Sequence, residues 1–452
     1  AIFMKIIIAG AGEVGFHLAK LLSFESQDIT LIDNKKCNLN IAENQLDIKT
    51  IEGDSASISV LKEANVHQSD LVISLTTSET TNFTTCFLAK QLGAKRTIAR
   101  ISNAEFIENN SEIDFNSIGI DELISPESLA TEEIKLLIHE SAFTNSHDFE
   151  DGILKMMGVK LEKNAPFIGK TVMESASVYP GVHFMPIALK NEGSEKTIIP
   201  RGDTIFQFGD QIYFITNEKG LKELYNLLGI VKQNIENVMI LGAGRIGSKL
   251  ARDLSNEGLN IKIIEINESK ANKLAEELSN VMMLNVDGRN VDLLVEENLQ
   301  NMDAFIATTG NSETNIMSCL MAKSKNIKKT IALVDNMDYF NLSQSIGIDT
   351  LINKKLLAAN DIFRFVRNGD IVELAKLSNM DAEIVEFNVN EHSNVLNKKI
   401  VDLDFPREAI IGGVIRKKDG LIALGDFEIQ LGDRVLVCSK PDALKKVESL
   451  FL

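Results

Sequence analysis

Two rhythms of apolar residues alternate along this chain. Runs such as Lys5-Ile6-Ile7-Ile8-Ala9 and Val238-Met239-Ile240-Leu241 are almost continuously apolar, as strands buried on both faces require. Each is followed by a segment with apolar residues at helical spacing, Phe16 to Leu22 and Ser248 to Leu254. This alternation covers about residues 4–125 and 236–352, and it builds parallel sheets with helices on both faces. After each stretch the pattern changes. Ser125 to His139 and Asn353 to Arg367 read as helices, the first opening on a serine N-cap with proline at the first helical position. Beyond them come short alternating strands broken by turns, as in Ile198-Ile199-Pro200-Arg201-Gly202-Asp203-Thr204, Phe208-Gly209-Asp210-Gln211-Ile212-Tyr213-Phe214-Ile215 and Leu431-Gly432-Asp433-Arg434-Val435-Leu436-Val437-Cys438.

The joints between the first strand and helix of each stretch carry the chemistry. Gly10-Ala11-Gly12-Glu13-Val14-Gly15 and Gly242-Ala243-Gly244-Arg245-Ile246-Gly247 have the G-x-G-x-x-G spacing, and Asp33 and Glu265 follow the first glycine by 23 residues in both copies. Alone such a motif is weak. After a strand, before a helix, with an acid at the next strand end, it is the dinucleotide-binding fingerprint. The first glycine makes the turn, the second lets backbone approach a pyrophosphate, and the third lets helix pack on strand, with the helix N-terminus aimed at the phosphates. The acids would accept bonds from ribose hydroxyls, and a carboxylate there disfavours a 2′-phosphate, hence NAD or an adenine nucleotide over NADP. The fold class predicted is α/β: two Rossmann-like doubly wound parallel sheets, each followed by a small α+β C-terminal lobe.

The likeness between the halves extends well past the glycines. Asp70-Leu71-Val72-Ile73-Ser74-Leu75-Thr76-Thr77 matches Asp303-Ala304-Phe305-Ile306-Ala307-Thr308-Thr309, with Thr308 set against Thr76 at an offset of 232. Lys95 to Arg100 parallels Lys328 to Leu333, and Ile118-Gly119-Ile120-Asp121 parallels Ile346-Gly347-Ile348-Asp349. The chain is therefore one unit written twice. The expected organisation is a first nucleotide-binding domain over 4–125, a connecting helix over 126–145, a first small lobe over 146–232, a second nucleotide-binding domain over 236–352, a connecting helix over 353–371 and a second small lobe over 372–452.

Residues at the strand ends complete the candidate sites. Gly53, Asp54 and Ser55 end the third strand, where an adenosine would lie, and Thr76 and Thr77 close the fourth. Arg100 ends the fifth, where a guanidinium clamps a phosphate bidentately, its alternative being an ion pair with an acidic neighbour. The copies differ where charge matters: Leu333 stands for Arg100, Arg245 for Glu13, and Asp287 matches Asp54 only with a one-residue shift. The helices at 125–139 and 353–367 are candidates for pairing lobes, with packing on their own sheets as the alternative.

Composition narrows the class. At 44% hydrophobic and 25% charged the chain buries sizeable cores, and no apolar stretch reaches the roughly 18 residues a membrane span needs. A net charge of −17 argues against nucleic acid or an anionic membrane surface as partner. Cys37, Cys86, Cys319 and Cys438 show no metal or disulfide spacing, and buried thiols in a reducing cytoplasm are the expectation for all four. Ala1-Ile2-Phe3 before Met4 is too short for a signal peptide and reads as an expression remnant. None of the six histidines recurs between the copies, and no nucleophile elbow, Walker A sequence or metal-ligand cluster occurs. No catalytic residue is assigned.

Taken with Asp33, Gly53-Asp54, Thr76 and Arg100, the stretches Ile168-Gly169-Lys170-Thr171-Val172, Ile199-Pro200-Arg201-Gly202-Asp203-Thr204 and Phe208-Gly209-Asp210 carry a resemblance. The chain resembles the TrkA family, nucleotide-binding peripheral subunits of Trk potassium uptake systems built from tandem regulator-of-potassium-conductance domains. In the second lobe Asn397-Lys398-Lys399-Ile400 and Leu424-Gly425-Asp426 depart from the pattern. The resemblance implies a nonenzymatic homotetramer, cytoplasmic and peripheral on the inner face of the membrane, without direct membrane insertion. It further implies an integral-membrane potassium channel subunit of the Trk type as partner, with NAD(H) and ATP or ADP as regulatory ligands that rearrange a ring of lobes. The competing readings are an NAD-dependent oxidoreductase and a regulator of a potassium efflux channel or cation/proton antiporter.

Overall fold

The computed structural model describes residues 4–24, 27–103, 106, 113–140, 143, 145–150, 152–194, 196–229, 234–336, 348, 350–366, 371–377 and 380–451. Arg367, Ile346, Gly347 and Asp349, used above in delimiting a helix and matching the copies, lie outside these residues.

The first stretch folds as β1 (Lys5–Ala9), α1 (Glu13–Phe24), β2 (Asp28–Asp33), α2 (Lys36–Gln45), β3 (Lys49–Glu52), α3 (Ile58–Glu63), β4 (Leu71–Ser74), α4 (Glu79–Gln91), β5 (Arg96–Arg100), β6 (Glu122–Ile124) and α5 (Pro126–His139). The first small lobe has β7 (Asn145–Phe149), β8 (Leu154–Lys160), α6 (Val172–Ala176), β9 (Phe184–Lys190), β10 (Gln211–Thr216) and α7 (Glu218–Leu228). The second copy repeats the plan with β11 (Asn237–Leu241), α8 (Arg245–Asn256), β12 (Asn260–Ile264), α9 (Glu268–Glu277), β13 (Val281–Leu284), α10 (Val291–Glu296), β14 (Ala304–Ala307), α11 (Ser312–Ser324), β15 (Lys329–Leu333), β16 (Thr350–Ile352) and α12 (Lys354–Val366). The second small lobe holds β17 (Ile371–Lys376), β18 (Glu383–Asn388), β19 (Ala409–Arg416), β20 (Asp419–Leu421), β21 (Arg434–Ser439) and α13 (Pro441–Phe451).

These elements form two compact units, one of residues 1–132, 335–337 and 353–366, the other of the remaining chain. In the first unit a six-stranded parallel sheet runs β3-β2-β1-β4-β5-β6. The order reverses between β1 and β4, which leaves a crevice at the carboxyl ends of those strands, the place where such folds bind ligands. Ile6, Ile8, Leu31, Ile32, Val72 and Ile73 are fully buried, as both-face coverage demands. The helix covering α1 comes from the other copy: α12 packs against α1 with Ala358, Ala359, Ile362, Phe363 and Val366 buried, one stripe at helical spacing. Asn353 caps it, its Oδ1 accepting from the backbone N–H of Lys355 and Leu356 at 3.0 Å each.

In the second unit the matching sheet runs β13-β12-β11-β14-β15-β16. The C-terminal half of α5 lies against α8, with Lys135 Nζ 3.5 Å from Asp253 and 3.2 Å from Glu257, and His139 Nε2 2.8 Å from Glu257. Both connecting helices thus serve the opposite copy's α1 or α8. The small sheets, β7-β8-β10-β9 and β17-β18-β21-β19-β20, share one apolar core that joins Phe149, Met156, Ile187 and Ile215 to Ile384, Ile415, Leu436 and Cys438. Arg201 helps to close it, one guanidinium nitrogen donating to the carbonyls of Arg407 at 2.7 Å and Ala409 at 3.1 Å. The Gly-Asp turns are fixed by their aspartates, Asp210 accepting from Gln207 N and Asp433 from Gln430 N.

Three cysteines are buried as expected, and burial pushes the Cys86 thiol up to about 12. Cys37 is the exception and is exposed. It stands in the first turn of α2, a helix that buries only Leu39 and Ala42.

Candidate functional site

The glycine turn of the first copy is built by three different constraints. Gly10 has φ +102, a left-handed conformation that side chains resist, and its N–H donates to Ile32 O at 2.7 Å. A Cβ on Gly15 would sit 1.8 Å from the Gly10 carbonyl oxygen, so α1 packs on the turn only with glycine there. Among the described residues a Cβ on Gly12 would meet nothing within 4 Å, so this glycine faces open space there. The second copy repeats all three, with φ +101 at Gly242, 1.9 Å from Gly247 to the Gly242 oxygen, and open space at Gly244. Ala11, Val14, Ala243 and Ile246 are buried beneath the turns.

The acids at the second strand ends brace these turns. Asp33 accepts from Ala11 N and Lys35 N at 2.7 Å each, and from Asn38 Nδ2 at 3.3 Å. Glu265 accepts from Ala243 N at 3.1 Å and Asn267 N at 2.9 Å. A carboxylate has about four acceptor positions, so both keep capacity for a hydroxyl. Gly53 N–H donates to the Asp33 carbonyl at 3.0 Å, bringing the third strand end to the same place.

An asparagine that the sequence analysis passed over organises the fourth and fifth strand ends. Asn82, buried on α4, accepts from Ser74 Oγ at 2.9 Å, Thr76 N at 3.0 Å and Thr76 Oγ1 at 2.6 Å, and donates to the Thr76 carbonyl at 3.0 Å and the Arg100 carbonyl at 2.9 Å. Asn315 does the same for Thr309 and Leu333, accepting from Thr309 N at 3.0 Å and donating to Leu333 O at 2.8 Å. This corrects the pairing of Thr76 with Thr308. The Thr308 hydroxyl is turned inward onto the carbonyls of Leu241 and Gly242 at 3.3 and 3.1 Å, and Thr309 occupies the Thr76 position at an offset of 233. The same offset removes the shift at Asp287: Asp54 accepts from Ala56 N at 2.9 Å and Asp287 from Arg289 N at 3.0 Å, an identical turn. Asp287 also pairs with the Arg289 guanidinium, which holds its carboxyl at about 2. Thr77 is exposed.

Charge separates the two clefts. The Arg100 Nε is shut off from solvent and has no hydrogen-bond partner among the described residues, an expensive state for a guanidinium unless a ligand supplies the acceptor. Leu333, at the same position, is buried apolar surface. Glu13, beside the first turn, forms an ion pair with Lys355 of α12, while Arg245 is exposed. Lys355 too was missed by sequence reading. The signal for the asparagines was present, since Thr76 and Asn82 stand six residues apart and Thr309 and Asn315 repeat that spacing.

Comparison with known proteins fits this geometry. The TrkA-N domain model matches residues 6–126 and 238–354, and the TrkA-C domain model matches 156–229 and 384–452. The chain belongs to the TrkA family. A TrkA relative from Halomonas elongata, the Trk system potassium uptake protein TrkA, is 32% identical over 453 residues, spanning 99% of this chain and 98% of that one. Among solved structures, the GsuK channel bound to NAD superposes with a TM-score of 0.61 at 17% identity, covering 100% of this chain and 79% of that one. GsuK bound to ADP gives 0.51 at 14% identity, over 81% and 70%. These two likenesses show that this chain and that channel share a fold.

Proposed function

We propose that this chain is the nucleotide-sensing regulatory subunit of a potassium uptake system, holding adenine nucleotides as signals without chemistry on them. The observation that carries this reading is the buried Nε of Arg100 at the carboxyl end of β5, without a partner among the described residues. With Gly12 open to the cleft and Asp33 at the ribose position, it supports a ligand containing an adenosine diphosphate, the part common to NAD and ADP. The first site comprises Gly10, Gly12, Gly15, Asp33, Gly53, Asp54, Thr76 and Arg100. The second, with Leu333 lacking a guanidinium, binds more weakly. The partner is a membrane potassium channel of the Trk type, and the assembly a cytoplasmic homotetrameric ring. Ligands act by binding one arrangement of the ring better than another, since only differential affinity moves such an equilibrium.

Calorimetric titration of ADP, ATP, NAD and NADH tests the assignment. Arg100→Ala is expected to weaken first-site binding by about 1.5–3 kcal/mol, the worth of a charge-assisted contact, or roughly 10- to 150-fold in Kd. Titration curves unchanged from wild type remove Arg100 from the site.

A further inference from the structure

Helix α12 begins against the usual electrostatic rule. Its first turn is Lys354-Lys355, two cations where the helix dipole favours anions. The first copy's equivalent, α5, begins Pro126-Glu127, the ordinary arrangement. Each lysine is held by acids of the first unit: Lys354 Nζ lies 3.5 Å from Glu127 and 3.5 Å from Asp335, and Lys355 pairs with Glu13. Glu13 is the first residue of α1, directly after the open Gly12. A helix of the second copy therefore delivers an ammonium to the rim of the first phosphate turn. A local rule is broken where a ligand is expected, which is where such violations concentrate.

We infer that Lys355 is a phosphate-recognition residue of the first cleft, exchanging Glu13 for the phosphate oxygens of a nucleoside polyphosphate. The inference rests on the nucleotide-binding reading above. Phosphate arriving beside α1 meets the repulsive Glu13 carboxylate, and Lys355 is the cation the structure places there to offset it. The pair is partly open, Lys355 at 25% and Glu13 at 66% side-chain exposure, so a ligand has access to it. Attraction grows with ligand charge, hence ATP and ADP engage Lys355 more than NAD does. Each additional phosphate draws on the N-terminal turn of α12.

Titration of the full chain with ATP, ADP and adenosine reads this out. Lys355→Gln is expected to weaken ATP and ADP about three- to tenfold, an effect that shrinks at high salt, and to leave adenosine unchanged. Lys355→Arg keeps wild-type affinity. Glu13→Gln, which frees Lys355 and removes the repulsion, tightens ATP, a gain that misfolding cannot imitate. Wild-type ATP affinity in Lys355→Gln, or an equal loss for adenosine, overturns the role of Lys355. If Arg100→Ala weakens ATP while Lys355→Gln does not, only this inference fails. If neither matters, the cleft assignment itself fails.

Discussion

Gly12→Val is expected to yield a folded protein whose first cleft no longer takes nucleotide. The two halves of that statement come from one observation, the absence of any atom of the described residues within 4 Å of a Cβ built at Gly12. The Cβ position is open among the described residues, so the thermal midpoint should stay close to that of wild type. The branched side chain instead fills the space a pyrophosphate crosses, and a loss beyond about 4 kcal/mol, roughly 1,000-fold in Kd, is expected. Gly15→Ala is the counterpart. Its Cβ would lie 1.8 Å from the Gly10 carbonyl, a backbone clash costing more than the usual overpacking of about 1–3 kcal/mol. Calorimetry with parallel thermal melts separates them: the first variant loses ligand and keeps its fold, the second loses stability. Retained nucleotide binding in Gly12→Val would mean that the phosphates do not pass this turn.

The other large effect is expected at Asn82. Replacing it by alanine removes acceptors for Ser74 Oγ, Thr76 N and Thr76 Oγ1, and donors to Thr76 O and Arg100 O, from a side chain that is itself buried among partners of which those at Thr76 and Arg100 are half-buried. Buried groups left without partners cost about 1–3 kcal/mol each, and neighbouring losses do not simply add. A destabilisation of about 3–5 kcal/mol follows, or roughly 10 °C in the melting of a domain of this size at about 2–4 °C per kcal/mol. Because Asn82 also positions the strand end bearing Arg100, nucleotide affinity should fall with it. Asn315→Ala makes the internal comparison: a similar loss of stability, with first-site affinity intact. A loss below about 1 kcal/mol in Asn82→Ala would show that water replaces the side chain.

The parallel sheets, the glycine turns and the acids at their strand ends were legible because each rests on a local signal. An unbroken apolar run, a glycine spacing and a fixed distance to Asp33 or Glu265 survive without knowledge of the fold. Asn82 was missed because a polar residue inside an amphipathic helix reads as solvent-facing, and only the repeated Thr-to-Asn spacing hints otherwise. Thr308 was misassigned because one extra residue ahead of β14 shifts the offset from 232 to 233, which flips a strand-end side chain to the other face. Lys355 and Glu13 are 342 residues apart, a pairing that periodicity cannot reach. The apolar stripe of α12 likewise announces burial but not the surface that buries it.

The shared core of the two small sheets bears on how such a chain arose. A protein with a single copy of the unit would leave the face formed by Phe149, Met156, Ile187 and Ile215 wet, and would need a second molecule to cover it. Fusing two genes converts that encounter into a tethered one, whose occupancy no longer falls on dilution. It also releases the halves from identity. Once both faces travel on one polypeptide, the copies are free to differ, arginine at one strand end and leucine at the other, an acid at one helix start and lysines at the other, differences that a symmetric pair could not hold.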